Sequence, residues 1–421
     1  MDRMIVHLLK IIRAQFRSNL WILAELMVVF VALWIMTDYF ITQYTLYHRP
    51  VGFDTDRVYQ VTVSKRSVDA PQFIVYPENS EEPRQNFDRI VERIRQHPDV
   101  EAVALSMFSL PYTHSNTTYG FRKDSVELWN IRRYNISPDY FRVFDIRPAA
   151  GGSPDELAQR LVQPGLVISA NLAETFFGRT NVVGEELIQG EDTLKIVAVT
   201  ESVRNDEYNE WLPYAWFSLI ESPRDGIVPE STCIQMQISF RIRPNVETAG
   251  FEERFMKEMR RQLQAGNFWV SDVQSYNDIR EQFLERTSNS SGQQVISSVM
   301  LFLLVNVFLA VIGSFWFRVN RRKEELGLRM AMGSSRTGLL RFTVTESLLL
   351  LTLAALPALF ICGNLMYADL VSASAADERL LRFFEVSLIT WLLLAFIIVL
   401  GVWYPAQKAA HIAPADALRA E

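Results

Sequence analysis

The sequence predicts an α-helical membrane protein of four transmembrane helices, with a large α+β extracytoplasmic domain inserted between the first and second helices. Three observations carry that prediction. The apolar residues, 49% of the 421-residue chain, gather into four blocks with the charges between them. Basic residues crowd beside particular blocks. The long stretch between the first two blocks alternates strand-like and helix-like patterns.

A hydrocarbon core about 30 Å thick needs roughly 20 consecutive apolar helical residues. Leu20 to Ile41, Val295 to Phe317, Phe342 to Leu370 and Val386 to Tyr404 meet that requirement, and the second block contains no charge. The first carries Glu25 and the third Glu346, each near the end expected to face the cytosol. There the cost of a mid-bilayer carboxylate, about 2.5–3.5 kcal/mol, falls. The first block is too long for the apolar core of a cleavable signal peptide, and no A-x-A-like site follows it. Tyr39, Phe40, Tyr44 and Tyr47 follow instead, as in an interfacial aromatic belt, so a retained anchor is expected.

Basic residues set the orientation. Arg3, Lys10, Arg13 and Arg17 precede the first block, and Arg318, Arg321, Arg322, Lys323, Arg329, Arg336 and Arg341 lie between the second and third. Between the third and fourth, Arg379 and Arg382 are offset by Asp377, Glu378 and Glu385. Both termini and the loop 318–341 are therefore expected in the cytosol. The expected segments are a cytosolic start (1–19), first span (20–41), extracytoplasmic domain in two subdomains (42–294) and second span (295–317). A cytosolic coupling loop (318–341), third span (342–370), short outer loop (371–385), fourth span (386–404) and cytosolic tail (405–421) complete the chain.

In the outer stretch, Val58 to Val63 reads as a strand. Asn86 to Gln96 places Phe87, Ile90, Val91 and Ile94 at helical spacing and is stopped by His97-Pro98. Val100 to Phe108 and Ser125 to Tyr134 read as strands, and Ser137 as the N-cap of a short helix with Pro138 in its first turn. Leu166 to Ser169 is a buried strand leading into the helix Ala170 to Phe177, ended by Gly178; Leu194 to Val199 is a further strand. Gln235 to Arg243 alternates like a half-exposed strand, Thr248 to Gln264 reads as an amphipathic helix, and the polar run Gln282 to Gln294 suits a helical or flexible stalk. Cys233 and Cys362 fall in different compartments and are not expected to pair, so the outer domain must rest on its own core.

Several chemistries find no support. The chain contains no G-x-x-x-x-G-K-[ST] phosphate loop, no H-E-x-x-H, no paired C-x-x-C and no G-x-S-x-G. His7, His48, His97, His114 and His411 have no ligand-like spacing, so no metal is expected. The net charge is −6 and the basic residues line membrane edges, which argues against nucleic acid as a partner. The expectation is a chain without catalysis or cofactor of its own.

The cytosolic loop is the most informative stretch. Arg321 to Met332 can form a helix ended by Gly333, with Ser334 or Ser335 capping the next. Arg322, Glu325 and Arg329 fall on one stripe, with Glu325 four residues ahead of Arg329 in the favourable order. Leu326 with Met330, and Leu328 with Met332, flank the stripe with apolar rows. Residues alone allow three readings: a loop that only fixes orientation, a helix lying on anionic lipid, or a docking element for a protein.

The stretch RRKEELGLRMAMGSSRTGLLRFTVTESLLL resembles the signature of the FtsX/MacB permease family, through Arg321, Arg322, Glu324, Glu325, Gly327, Arg329, Ala331, Gly333, Ser334 and Glu346. The tail YPAQKAAHIAPADALRAE is similar to that family's closing motif, through Pro405, Ala406, Ala409, Ala410, Pro414, Ala417, Leu418 and Arg419. In the outer domain, SPDYFRVFDIRPAAGG, LVISANLAETFFGRTNVVGEELI and LKIVAVTESVRND look like three segments of a MacB-like periplasmic core.

This resemblance implies an ABC transporter permease in the bacterial cytoplasmic (inner) membrane. It would pair with a second permease chain, as homo- or heterodimer, and dock two copies of a separate ATP-binding subunit, with or without a periplasmic adaptor. ATP would be bound by those subunits, and mechanotransmission to the outer domain would drive efflux, export or extraction of a substrate. Arg321, Arg322, Glu324, Glu325, Arg329, Gly333 and Ser334 would form the coupling element. Glu346 would pair with Arg341 or Arg336, Pro357 would kink the third span, and Pro405 would open the closing motif. Two alternatives are an FtsX-like subunit that regulates a cell-wall hydrolase without transport, and an anchored sensor or outer-domain enzyme with no ATPase.

Overall fold

The computed structural model describes residues 10, 12, 14, 16–77, 80–162, 165–219, 228–290, 293–321, 328–329, 332, 334–368 and 376–410. By its internal contacts the chain divides into one unit of Met1–Thr45 with Gly292–Glu421 and another of Leu46–Ser291. In chain order the helices are α1 (Phe16–His48), α2 (Glu82–Arg95), α3 (Tyr140–Val143), α4 (Pro154–Leu161), α5 (Ala170–Phe177) and α6 (Glu230–Gln235). They continue as α7 (Phe251–Met259), α8 (Tyr276–Ser290), α9 (Gln293–Arg321), α10 (Arg336–Tyr367) and α11 (Ala376–Ala410). The strands are β1 (Val58–Lys65), β2 (Val100–Met107), β3 (Thr117–Lys123), β4 (Val126–Ile136), β5 (Leu166–Ser169) and β6 (Glu186–Gln189). The remaining strands are β7 (Asp192–Thr200), β8 (Tyr214–Ser218), β9 (Met236–Ile242), β10 (Gln264–Ala265) and β11 (Phe268–Ser275).

Helices α1, α9, α10 and α11 are long and apolar enough to cross a bilayer, over Asn19–His48, Val295–Arg318, Thr337–Tyr367 and Arg379–Trp403. Helix α1 outruns its apolar block because nothing breaks it before Pro50, whose ring disfavours helix in the residue ahead of it. Leu26, Phe30, Leu33 and Trp34 of α1 share a core with Leu350, Ala354 and Ala358 of α10 and Leu394, Ile398 and Val402 of α11. The alanines let helices approach closely. Gly401 serves the same end: a Cβ there would sit 3.2 Å from Ile312 Cγ1 and 3.3 Å from its Cα, so glycine is what lets α11 touch α9. Elsewhere α9 is largely bare, with Val299, Phe302, Leu303 and Leu309 exposed.

In the other unit the strands run β10-β11-β1-β9-β2-β4-β3-β6-β7-β5-β8, and a parallel pairing of β8 with β4 closes the last six into a ring. The open part is a split β-α-β pattern. Strands β1 and β2 are joined through α2, β9 and β11 through α7, and the order β11-β1-β9-β2 is antiparallel throughout. The ring is inserted between β2 and β9. Strand β4 joins the two parts, meeting β2 only at Ser106↔Ile136 and Met107↔Asn135.

Each part has an apolar reason to exist. Phe87, Ile90 and Ile94 of α2 and Phe251 and Phe255 of α7 cover Val61, Ile238 and Phe240 on one sheet face. Phe121, Ile131, Leu166, Ile168, Ile196 and Phe217 fill the ring, joined by Leu172 and Ala173 of α5. The four residues of β5 are all buried, as the apolar run Leu166 to Ile168 requires, and Ser169 Oγ accepts from Tyr214 N–H at 3.0 Å. Helix α5 ends where expected, at Gly178, whose φ of 65° gives the left-handed cap a side chain would resist.

Three local expectations are corrected. Strand β9 is not half-exposed: six of its seven residues are buried. Its polar face is covered, since the hydroxyls of Ser239 and Tyr276 lie 3.2 Å apart and Arg241 Nε donates to Val143 O at 2.8 Å. Ser137 does not cap a helix. Its Oγ accepts from Leu105 N–H at 2.9 Å, and α3 is a single turn beginning after Asp139. The amphipathic run from Thr248 supplies only α7, because by Gln264 the chain has turned into β10 to pair with β11. The polar stalk is helical in α8 up to Ser290.

Burial pushes Tyr59 up to about 12 and raises Tyr134, Tyr140, Tyr214 and Tyr276 as well. A phenol whose folded value exceeds its unfolded value of about 10 contributes stability that is complete below pH 10 and lost as pH climbs through the folded value. Phenolate absorbance should therefore show an early phase from exposed tyrosines, and a late phase coinciding with loss of circular dichroism as pH approaches about 12. Complete ionisation with the fold intact would contradict this burial.

Candidate coupling site

Ser314 and Arg318 are four residues apart on α9 and so share a face. Ser314 Oγ donates to Glu25 Oε1 of α1 at 2.6 Å, and Arg318 Nη2 donates to Glu346 Oε1 of α10 at 2.8 Å. These two contacts join α1, α9 and α10 within one helical turn. The ion pair is buried, with 11% of the Arg318 side chain and 3% of the Glu346 side chain exposed. Glu346, expected to pair with Arg341 or Arg336, is held by Arg318, and the Arg336 side chain lies outside the described residues. At about 100° per residue, five positions carry Arg341 roughly 140° around the helix from Glu346. The neighbouring helix α9 supplies a cation.

Beyond α9 the coupling loop is described in part. Arg321 ends the helix, but its side chain lies outside the described residues, as do Arg322, Glu324, Glu325, Gly327, Ala331 and Gly333. Leu328 and Arg329 are helical, and Leu328 O accepts from Met332 N–H at 3.0 Å. Ser334 N–H donates to Arg329 O at 3.0 Å, the six-residue closure of a Schellman-type helix end. The Arg329 guanidinium lies 4.3 Å from the Phe342 ring centroid at the start of α10. Leu328 and Met332, one of the predicted apolar rows, are 51% and 73% exposed, so this row faces away from the protein. Of the two serines, Ser335 is the cap: its Oγ accepts from Gly338 N–H at 3.1 Å, while Ser334 is exposed just ahead of it.

Pro357 lies inside α10, which runs unbroken from Arg336 to Tyr367. It removes the N–H that would bond Leu353 O. Pro405 lies within α11, its side chain outside the described residues, as is the rest of the closing motif from His411, including Pro414, Ala417, Leu418 and Arg419.

A second tie was not singled out in the sequence. Asp38 of α1, 2% exposed, pairs with Arg382 of α11, with Nε–Oδ1 2.8 Å and Nη2–Oδ1 2.6 Å. Thr42 Oγ1 contacts the same guanidinium and donates to Asp38 O at 2.7 Å. One turn away, Trp34 Nε1 donates to Ser387 Oγ at 3.0 Å. Asp38 is hidden in an apolar block, and Arg382 reads as part of a loop although α11 begins ahead of it. The available signal was an acid near the end of one apolar block and a base at the start of another. Among the described residues no group of three or more His, Cys, Asp or Glu side chains could hold a metal.

Removing one partner of a buried ion pair strands the other charge. Arg318→Ala or Glu346→Ala should each cost about 3–5 kcal/mol, while Arg318→Met with Glu346→Leu should cost far less than the sum. Denaturant unfolding in detergent measures both. Simple additivity would show that the two side chains do not depend on each other.

Two family models match the chain in succession. Residues 27–257 match the MacB-like periplasmic core domain, and residues 297–414 match the FtsX-like permease C-terminal domain. Among curated relatives, the macrolide export ATP-binding/permease protein MacB of Vibrio parahaemolyticus serotype O3:K6 is 23% identical over 327 residues, which is 75% of this chain and 47% of that protein. The MacB protein of Shewanella sp. strain W3-18-1 is 24% identical over 298 residues, 68% of this chain and 43% of that protein. The chain thus spans less than half the length of either relative. The periplasmic region of MacB from Actinobacillus actinomycetemcomitans aligns with 57% of this chain and 98% of its own length, at 11% identity and a TM-score of 0.34. With the first domain match covering more than half of its residues and the second following in order, the chain belongs to the FtsX/MacB-type permease family.

Proposed function

We propose that this chain is the permease subunit of an ABC-type complex in the bacterial inner membrane. It carries ATP-driven conformational change from a separate cytosolic ATPase to the outer unit, for export or extraction of a substrate. In this reading Leu46–Ser291 lies outside and the loop between α9 and α10 in the cytosol, an orientation that the basic residues of that loop support. That no phosphate loop occurs in these 421 residues supports a partner subunit that binds the ATP, with no catalysis assigned to this chain. Two ATPase copies and a second permease chain complete the machine.

One observation supports this reading above the others. The Glu25–Ser314 and Arg318–Glu346 contacts cluster at the end of α9 from which the basic loop departs. A displacement of that loop is thereby imposed on α1, α9 and α10 together. Helix α1 continues directly toward the outer unit, so the path from loop to outer unit needs no movable pore. Exposed Leu328 and Met332 beside Arg329 offer the mixed apolar and charged surface that a protein partner recognises.

Two experiments check this. Arg329→Glu combined with Glu325→Arg should abolish recovery of the ATPase with the permease and collapse the complex's ATP turnover. Unchanged complex and turnover would remove the loop from the coupling role. For topology, Ser334→Cys and Val126→Cys, both at exposed positions, should react with impermeant maleimide from opposite faces of sealed vesicles. The native thiols should stay silent, because Cys233 and Cys362 are buried and burial pushes Cys233 up to about 11. Labelling of both engineered sites from one face would refute the membrane arrangement.

A further inference from the structure

The loop 204–209 holds a buried polar cluster whose arrangement goes beyond what a stable core requires. Arg204 is 1% exposed, and every hydrogen-bond acceptor around its guanidinium is a main-chain carbonyl. Nη1 donates to Leu46 O at 2.8 Å, Glu207 O at 3.0 Å and Asn209 O at 3.3 Å; Nε donates to Pro50 O at 3.2 Å, and Nη2 to Arg49 O. Three of these carbonyls belong to the chain leaving α1. Leu46 lies in the last turn of that helix, whose carbonyls lack helical N–H partners and carry the negative end of its dipole. Arg204 therefore caps α1 from a distant part of the sequence. The backbones are equally close: Arg204 N–H donates to Val51 O at 2.9 Å. Gly52, at φ 83°, leaves no space for a Cβ, which would lie 2.3 Å from Ser202 O.

Three residues on, Glu207 faces the other connection. Its Oε1 accepts from Tyr112 Oη at 3.0 Å and from Arg280 Nε of α8, the helix that ends just before α9 begins. Arg280 Nη2 also reaches Tyr47 Oη at 3.5 Å, and the Tyr47 ring lies 5.7 Å from that of Tyr208. Asp206 stiffens the loop between them, its Oδ1 accepting from the N–H groups of Tyr208 and Asn209 at 2.9 and 3.0 Å. The outer unit has two covalent connections to the membrane helices, one after α1 and one before α9. Both are gripped by the same six residues.

We propose that Arg204 and Glu207 form a clasp holding the chain that leaves α1 and the helix that leads to α9 as one piece, so that movement of both helices reaches the outer unit undivided. This rests on the transmission reading above. Arg204 and Glu207 act as positioning residues through the backbone and through Arg280. A lysine cannot replace the arginine, because one ammonium group cannot span carbonyls fanned around a planar fork.

The test uses the full permease with its ATPase in membrane vesicles, carrying an environment-sensitive dye on Val126→Cys. ATP turnover reports drive, and the nucleotide-dependent dye signal reports movement of the outer unit. Arg204→Lys and Glu207→Gln should keep turnover and lose the dye signal about tenfold, the scale set by one charge-assisted hydrogen bond. Adding Tyr47→Cys and Tyr208→Cys to Arg204→Lys, then joining the two thiols with a short bifunctional reagent, should restore the signal. A full signal in Arg204→Lys, or no recovery after bridging, overturns the clasp. A wild-type complex that hydrolyses ATP with no nucleotide-dependent dye signal overturns the transmission reading itself, and the clasp with it.

Discussion

The arrangement of the membrane helices depends on the ion pair between Arg318 and Glu346. Apolar side chains cannot specify one register within hydrocarbon, where lipid tails are as apolar as leucine and a helix can slide against its neighbour at little cost. A buried charge permits no such sliding: a shift of one turn would leave each partner facing a medium that cannot solvate it. The pair thus fixes α9 against α10, and Ser314, one turn back on α9, fixes α1 through Glu25. Asp38 with Arg382 does the same for α1 and α11, thirteen residues further along α1 and about 20 Å away at helical rise. Held at both ends, α1 cannot rotate or shift without breaking a buried ionic contact.

The outer unit solves a related problem by topology. A ring of six strands has no free edges of its own, while the split β-α-β part to which it is joined has a polar sheet face needing cover. Helices α3 and α8 provide that cover, and the polar residues beneath them, Ser239 and Arg241, are hydrogen-bonded rather than solvated. Because α8 is at once a lid on this sheet and the approach to α9, its position is fixed by the core of the outer unit through Tyr276 and Phe283. Packing and connection are the same element here.

What could be read from the sequence was what is local. The apolar blocks announce α1, α9, α10 and α11, since length and composition suffice. Three consecutive apolar residues, Leu166 to Ile168, announce β5, and a glycine after a short helical run announces the turn at Gly178, because each signal lies within a few residues of its effect. The misreadings share the opposite property. Ser137 looks like an N-cap from its neighbours, yet its hydroxyl is taken by Leu105, 32 positions earlier. The alternation of β9 looks half-exposed because nothing nearby shows that α8 will return to cover it. Asp38 and Arg382 are 344 positions apart, and Glu346 finds its cation 28 positions back on a different helix. Hydrogen bonds and ion pairs buried between elements are set by the fold, so they become legible only once the fold is known.

The placement of the polar groups bears on how such a machine can work. A hydrophilic passage between helices would need polar side chains facing a shared cavity. Among the described residues of α9 and α10, Asn306 and Asn364 turn their amides back onto the carbonyls four residues earlier, both at 2.7 Å. Glu25, Asp38, Arg318, Glu346 and Arg382 are engaged in contacts between helices. Polar chemistry in the bundle is spent on fixing helices to one another, which suits elements that move as rigid bodies. Under the proposed function the output of such an arrangement would be displacement beyond the lipid. Under the proposed function the substrate would be handled by the unit Leu46–Ser291, where the buried Arg204 guanidinium is likewise held by hydrogen bonds, here to main-chain carbonyls.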